Sequence, residues 1–148
     1  MEENVPLFEL AGLDVRFDTP DGEVHAVRGI DLALNAGDTL AVVGESGSGK
    51  SQAMMAAMGL LAKNGRATGS VRYRGREILG LRSRALNEVR GAKIGMIFQE
   101  PMTSLDPLYT IGNQISEPLM RHRRMDARAA WRRAGELLAL VGLPDPER

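Results

Sequence analysis

Eight consecutive residues, Gly44-Glu45-Ser46-Gly47-Ser48-Gly49-Lys50-Ser51, match the pattern G-x-x-x-x-G-K-[ST] without a mismatch. Each residue type suits the capture of a polyphosphate. Glycines at 44, 47 and 49 free the backbone to turn its N–H groups toward phosphate oxygens. Those donors, with the partial positive charge of a following helix N-terminus, can cradle an anion. Lys50 can reach β- and γ-phosphates as a point charge, and the Ser51 hydroxyl is the expected Mg²⁺ ligand. Gln52 falls in the first helical turn behind them. Glu45 is expected to face solvent, because phosphates would repel its carboxylate. The plainer reading is an incidental glycine turn. The flanks count against it, since the pattern requires a strand before the loop and a helix after it.

Those flanks are part of a longer progression. Leu7–Phe17 reads as a strand, Thr19-Pro20-Asp21-Gly22 as a turn and Val24–Val27 as the returning strand of a hairpin. Ile30–Leu34 alternates as a further strand. Thr39–Val43 is a short apolar run of the kind a buried parallel strand presents. Lys50–Leu61 has helical composition, with Met54, Met55 and Met58 expected in its packing face. Ser70–Arg74 reads as a strand, Arg84–Arg90 as a short helix and Ile94–Phe98 as a second apolar strand. Ile115–Arg124 and Ala127–Val141 read as helices, the second stopped by Gly142-Leu143-Pro144. The chain thus passes from β-rich, through α/β, to all-helical.

A second chemical feature sits at the end of the later apolar strand. Gln99 follows Phe98, at the carboxyl end of a strand, where ligands bind in parallel sheets. The stretch Phe98-Gln99-Glu100-Pro101-Met102-Thr103-Ser104-Leu105-Asp106-Pro107 resembles the Q-loop of ABC transporter ATPases, and its wording is similar to the oligopeptide and dipeptide importer branch. "TPDGEVHAVRGIDL", "GESGSGKS" and "MGLL" agree, so the resemblance runs from about Leu7 to Pro146. Branch members usually carry Asn where Asp106 stands, and the family more often has a small or β-branched residue at the position of Gln52.

The resemblance implies an α/β fold: a P-loop NTPase core of ABC type, an N-terminal antiparallel β subdomain and a truncated helical subdomain. Residues 1–43 and 66–75 would form the β-rich part, 39–65 and 93–100 the core, and 101–148 an incomplete helical part. It implies ATP and Mg²⁺ as cofactors, with Gln99 contacting the metal and the attacking water and reporting nucleotide state to membrane subunits. Phe17 is the candidate for stacking on adenine, with His25 the weaker alternative; a core role for Phe17 weighs about equally. The implied partners are integral-membrane permease subunits, a second nucleotide-binding subunit and an extracytoplasmic solute-binding protein. The implied location is peripheral, on the cytoplasmic face of the cell (inner) membrane.

The resemblance also sets what an ABC ATPase requires further on: an L-S-G-G-Q-type signature, a strand ending in aspartate followed by a catalytic glutamate, and a later histidine. None occurs in these 148 residues, and His122 lies too early to be that histidine. The expectation is therefore the N-terminal portion of a longer nucleotide-binding domain, binding nucleotide weakly and hydrolysing it negligibly by itself. A non-catalytic nucleotide-binding remnant and a small P-loop kinase are the competing readings. The missing N-K-x-D string counts against a GTPase.

Composition narrows the remainder. There is no cysteine, which excludes disulfides, thiolate zinc sites and a cysteine nucleophile. No apolar run approaches the ~20 residues that span a bilayer, and the acidic start Met1-Glu2-Glu3-Asn4 lacks a signal-peptide layout. The net charge is zero, yet residues 1–65 carry −6 and residues 66–148 carry +6. Arg121, Arg123, Arg124, Arg128, Arg132 and Arg133 account for much of the basic half. Arg121, Arg124, Arg128 and Arg132 are spaced to share one helical face, opposite an apolar stripe of Trp131, Leu137, Leu138 and Val141. A solvated face is the first expectation there, with an anionic lipid or the permease as other partners; nucleic acid is not expected.

Overall fold

The computed structural model describes residues 5–100 and 105–143. The contacts divide them into two compact units, the first ending at Leu86 and the second beginning at Asn87. Met1–Asn4, Pro101–Ser104 and Pro144–Arg148 lie outside the described residues, and with them part of the Gln99 stretch and the proline stop after Leu143.

The first unit is built on a hairpin. Strand β1 (Phe8–Thr19) turns at Pro20-Asp21 into β2 (Gly22–Leu34), in register from Phe8↔Leu34 to Thr19↔Gly22. Leu10 and Leu13 are three residues apart, so strict alternation would send them to opposite faces. Both are nonetheless buried, at 1% and 0% exposure. A bulge resolves the conflict: the register steps from Leu10↔Leu32 to Leu13↔Ile30, with one more residue on β1 than on β2. Gly12 takes φ 56° there, and its N–H donates to Asp31 Oδ1 at 2.7 Å. A second shift, between Leu13 and Val15, adds a residue on β2 near Gly29. That bulge is why the two segments expected at Val24–Val27 and Ile30–Leu34 are one continuous strand.

Strand β3 (Gly65–Tyr73) pairs with the other edge of β1, and the short β4 (Arg76–Glu77) completes an antiparallel sheet of order β2-β1-β3-β4. Helix α1 (Lys50–Ala57) packs on β1, β2 and β3. Its buried residues are Ala53, Ala56 and Ala57, whose small side chains let the helix lie close to Leu10, Leu13, Val15, Val27 and Val71. Each large aliphatic side chain so buried contributes roughly 1.5–3 kcal/mol. Met58 is buried just past the helix, as expected of it, whereas Met54 and Met55 are half-buried. The four-residue α2 (Ser83–Leu86) is shorter than the helix expected over Arg84–Arg90.

The opposite face of the sheet is ionic. Arg16 Nε donates to Asp14 Oδ1 at 2.9 Å, and its guanidinium reaches Glu23 at 2.8 Å. Arg66 bonds Asp18 at 2.8 Å and also pairs with Glu23. His25 Nε2 lies 2.5 Å from Asp14 Oδ2. The hydrogen bond from Arg16 holds the Asp14 carboxyl below its ordinary range, outweighing desolvation with the help of His25. Arg66, Asp18 and Glu23 are exposed and Asp14, Arg16 and His25 half-buried, so solvent screens most of this network.

Glu77 is tied more closely to the backbone. Its carboxylate accepts from Ser70 Oγ at 2.5 Å and from the N–H groups of Val71 and Leu79 at 2.9 Å. Partial burial pushes its pKa up, but these hydrogen bonds outweigh it and hold the carboxyl below its ordinary range. A carboxyl with a depressed folded pKa stabilises the fold above its unfolded value and loses that contribution as pH falls through the folded one. Chemical denaturation from pH 6 to pH 3 should therefore show a shallower loss of stability in Glu77→Gln than in the parent chain. Identical slopes would remove Glu77 from this role.

In the second unit, α3 (Ile111–Arg123) and α4 (Ala127–Leu140) pack on each other. Thr110 Oγ1 accepts from Asn113 N at 3.3 Å to cap α3, and Asp126 Oδ1 accepts from Ala129 N at 2.9 Å to cap α4. Gln114 secures the entry loop, its Oε1 accepting from Asp106 N and its Nε2 donating to the Asp106 and Tyr109 carbonyls. Gly112 lets the Trp131 ring approach: a Cβ at 112 would lie 2.7 Å from Trp131 Cη2. Arg124 ends α3 at φ 54°, so the arginines expected on one face are divided between two helices and the turn joining them. The buried stripe of α4 is Ala130 and Ala134, with Leu137 and Leu138 half-buried; Trp131 and Val141 remain largely exposed.

Two expected strands are absent among the described residues. Thr39–Val43 has no ladder partner, and Val42 and Val43 are 51% and 89% exposed. Ile94 makes one parallel bridge to Arg90, after which the chain is irregular and Ile97 is 99% exposed. The physical reason is pairing. A buried parallel strand needs a neighbour on each side, and all the strands described are committed to the antiparallel sheet.

Candidate functional site

The phosphate-loop sequence folds as its residue types dictate. Gly49 is the N-cap of α1, at φ 91° and ψ −2°, and no side chain caps the helix. The first N–H groups of α1 therefore have no side-chain acceptor, which leaves them for an anion. Gly49 is also pressed against β2: a Cβ there would lie 2.3 Å from the Ala26 carbonyl oxygen. Only glycine meets both conditions, so β2 fixes where the loop enters the helix.

Lys50 turns back over the loop. Its Nζ donates to the carbonyls of Gly44 at 2.8 Å and Glu45 at 2.7 Å, and to Ser48 Oγ at 3.1 Å. All three ammonium protons are thus directed to oxygens of the loop it must serve, and the charge sits at the loop's centre. Glu45 is exposed, in keeping with its expected outward role, and contributes its backbone rather than its carboxylate. Ser46, Ser48 and Ser51 are exposed, and Gln52 is half-buried in the first turn of α1.

A cavity of about 480 Å³ opens beside the loop, lined by Ala26, Val27 and Arg28 of β2, Val43, Lys50 and Met54 among others. Arg28 is a residue that the sequence pattern did not single out. It brings a second cation to this cavity, and only the β2 register reveals it. Phe17 is not among the lining residues; it lies on β1 opposite Gly65, whose missing Cβ makes room for its ring. His25 is engaged with Asp14. Gln99 belongs to the second unit, where it is exposed beyond the irregular Ile94–Phe98 run.

The donor set fits a polyphosphate with a hard cation. Uncapped helix N–H groups and Lys50 supply positive charge on one side of the loop, and Ser51 offers a hydroxyl. Among the described residues no three His, Cys, Asp or Glu side chains gather as a metal site. A metal held here would take its oxygens from phosphate and Ser51, as Mg²⁺ does in such loops.

A glycine-rich loop opening a helix beside a sheet defines a phosphate-loop nucleotide-binding fold. The model of the ABC transporter family matches residues 27–148, and the chain belongs to that family. It is 49% identical over 142 residues to the oligopeptide transport ATP-binding protein OppD of Salmonella typhimurium, covering 96% of this chain and 42% of that protein. It is 47% identical over 148 residues to the dipeptide transport ATP-binding protein DppD of Lactococcus lactis subsp. cremoris, covering 99% and 42%. The chain thus spans less than half the length of these relatives. The dimeric ABC transporter cassette MJ0796 superimposes with a TM-score of 0.78 at 26% identity, over 93% of this chain and 58% of that one. The same cassette in a post-hydrolysis state, bound to ADP and Pi, matches equally. The fold is accordingly an α/β cassette of ABC type, with an antiparallel β portion, a P-loop helix and a helical portion.

Proposed function

We propose that the chain is the phosphate-loop part of the ATP-binding subunit of an importer for peptides or similar small solutes. The observation that carries this reading is the loop itself, with Lys50 Nζ centred over the Gly44 and Glu45 carbonyls beside an uncapped helix N-terminus. The identities to OppD and DppD support the peptide branch.

In this role the backbone N–H groups of Gly47, Ser48 and Gly49 hold the β-phosphate, flanked by Gly44, Glu45 and Ser46. Lys50 exchanges its loop carbonyls for β- and γ-phosphate oxygens. Ser51 and Gln99 are the residues that would supply protein oxygens to Mg²⁺, which would there neutralise charge developing on the phosphates. Gln99 also orients the water and reports the nucleotide state to the permease, Gln52 supports the first helical turn, and Phe17 stacks on adenine. The working partners are permease subunits, a second nucleotide-binding subunit and a solute-binding protein, at the cytoplasmic face of the membrane. No helix among the described residues is long and apolar enough to cross one.

These residues supply binding and metal positioning but no carboxylate base aligned with the loop. General-base positioning contributes typically 10²–10⁴-fold. The 148-residue chain should therefore bind a fluorescent ATP analogue, more tightly with Mg²⁺, yet release phosphate at no more than the rate of a protein-free control. Turnover above that background, abolished in Lys50→Ala, would overturn the assignment of hydrolysis to residues beyond these.

A further inference from the structure

The helical elbow between α3 and α4 carries cations that the proposed function leaves unused. Arg121, Arg123, Arg124, Arg128 and Arg132 are all exposed, and none has an ion pair among the described residues. The only carboxylate between positions 121 and 133 is Asp126, and its Oδ1 is committed to capping α4. Arg133, by contrast, is paired with Glu136 at 2.6 Å. A solvated helix face would be laced with such pairs. Here five of six arginines lack them.

An apolar ring stands beside these charges. The Trp131 ring rests on Gly112 yet stays 53% exposed, and it lies next to Arg128 on the surface of α4. Arg132 follows it, so the indole stands between two exposed arginines on one helix. An exposed tryptophan flanked by arginines is the chemistry of a membrane interface. The guanidinium groups bind lipid phosphates while the indole sits at headgroup depth. A duplex nucleic acid offers phosphates but no apolar layer for that ring.

We infer that the α3–α4 elbow docks on an anionic bilayer surface, holding this unit against the membrane independently of any protein partner. The choice of lipid over other acidic surfaces rests on the membrane placement in the proposed function. The attraction should be electrostatic and salt-sensitive, with each arginine contributing about fivefold in affinity.

Trp131 is the chain's only tryptophan and so reports on this surface directly. The 148-residue chain should be titrated with vesicles of phosphatidylcholine containing a third phosphatidylglycerol, and with phosphatidylcholine alone, while Trp131 emission is followed. The expected result is a blue shift with the anionic vesicles only, reversed at high salt. Arg128→Ser/Arg132→Ser should weaken it by roughly twenty-five-fold without altering the circular dichroism. Equal shifts with both vesicle types, or no shift in a folded chain, would overturn the inference. So would tighter binding to a DNA duplex at the same salt. Binding of a fluorescent ATP analogue, measured on the same samples, reads the phosphate loop separately. Vesicle binding without nucleotide binding would reject the loop assignment alone, and the reverse would reject the elbow alone.

Discussion

Lys50→Ala is expected to weaken binding of a fluorescent ATP analogue by about tenfold to a hundredfold, with thermal stability nearly unchanged. The magnitude follows from a charge-assisted hydrogen bond, worth roughly 1.5–3 kcal/mol. Each 1.4 kcal/mol is tenfold in affinity. The small effect on stability follows from where the ammonium sits. Its partners are the Gly44 and Glu45 carbonyls and Ser48 Oγ, all in an exposed loop that water can satisfy once the side chain is removed. Titration and a melting curve on the same protein separate the two effects. A variant that binds as well as the parent would remove Lys50 from the site, and one that unfolds would show that the lysine holds the loop together.

Gly49→Ala should have the opposite signature, a large loss of stability that takes nucleotide binding with it. An L-residue at φ 91° costs roughly 1–2 kcal/mol, and the new Cβ would meet the Ala26 carbonyl at 2.3 Å. That oxygen is backbone in β2 and cannot swing aside, so the strand or the start of α1 must move. A total of about 3 kcal/mol is a large part of the stability of a domain this size. Gly47→Ala provides the contrast. Its φ is 82°, but no atom lies within 4 Å of a Cβ there, so only the backbone strain applies. Urea denaturation should rank the two, with Gly49→Ala at least about 1 kcal/mol less stable than Gly47→Ala. Equal losses would mean that β2 does not constrain the loop.

The parts of this molecule that were legible in the sequence are those whose cause is local. The phosphate loop needs glycines, a lysine and a hydroxyl in fixed order, and the hairpin turn needs Pro20-Asp21 between two alternating runs. Helix α4 was legible from its composition, whereas α3 begins at Ile111, a full turn before the expected Ile115, where the Thr110 side chain caps it. Family membership was legible for the same reason, because the strings around Gly44 and Gln99 are distinctive. What escaped depended on distant partners. Thr39–Val43 has the composition of a buried strand, but whether it becomes one is decided by neighbours that alternation does not reveal. The bulges at Gly12 and Gly29 exist because Leu10, Leu13 and Val15 must reach one core, a constraint visible only once the register is known. Arg28 joins the phosphate-loop cavity for that reason too. The arginine stripe, drawn as one helical face, is broken by the left-handed turn at Arg124.

The central claim is that Gly44–Ser51 receives the phosphates of ATP through backbone N–H groups. Amide chemical-shift mapping of the isotope-labelled chain, titrated with ATP and Mg²⁺, addresses those groups one by one. The account predicts saturable shifts concentrated at Gly44 to Ser51, largest for Gly47, Ser48, Gly49 and Lys50, and needing about tenfold to a hundredfold more nucleotide in the Lys50→Ala protein. A folded chain whose loop amides do not move, or whose shifts gather elsewhere, would contradict it.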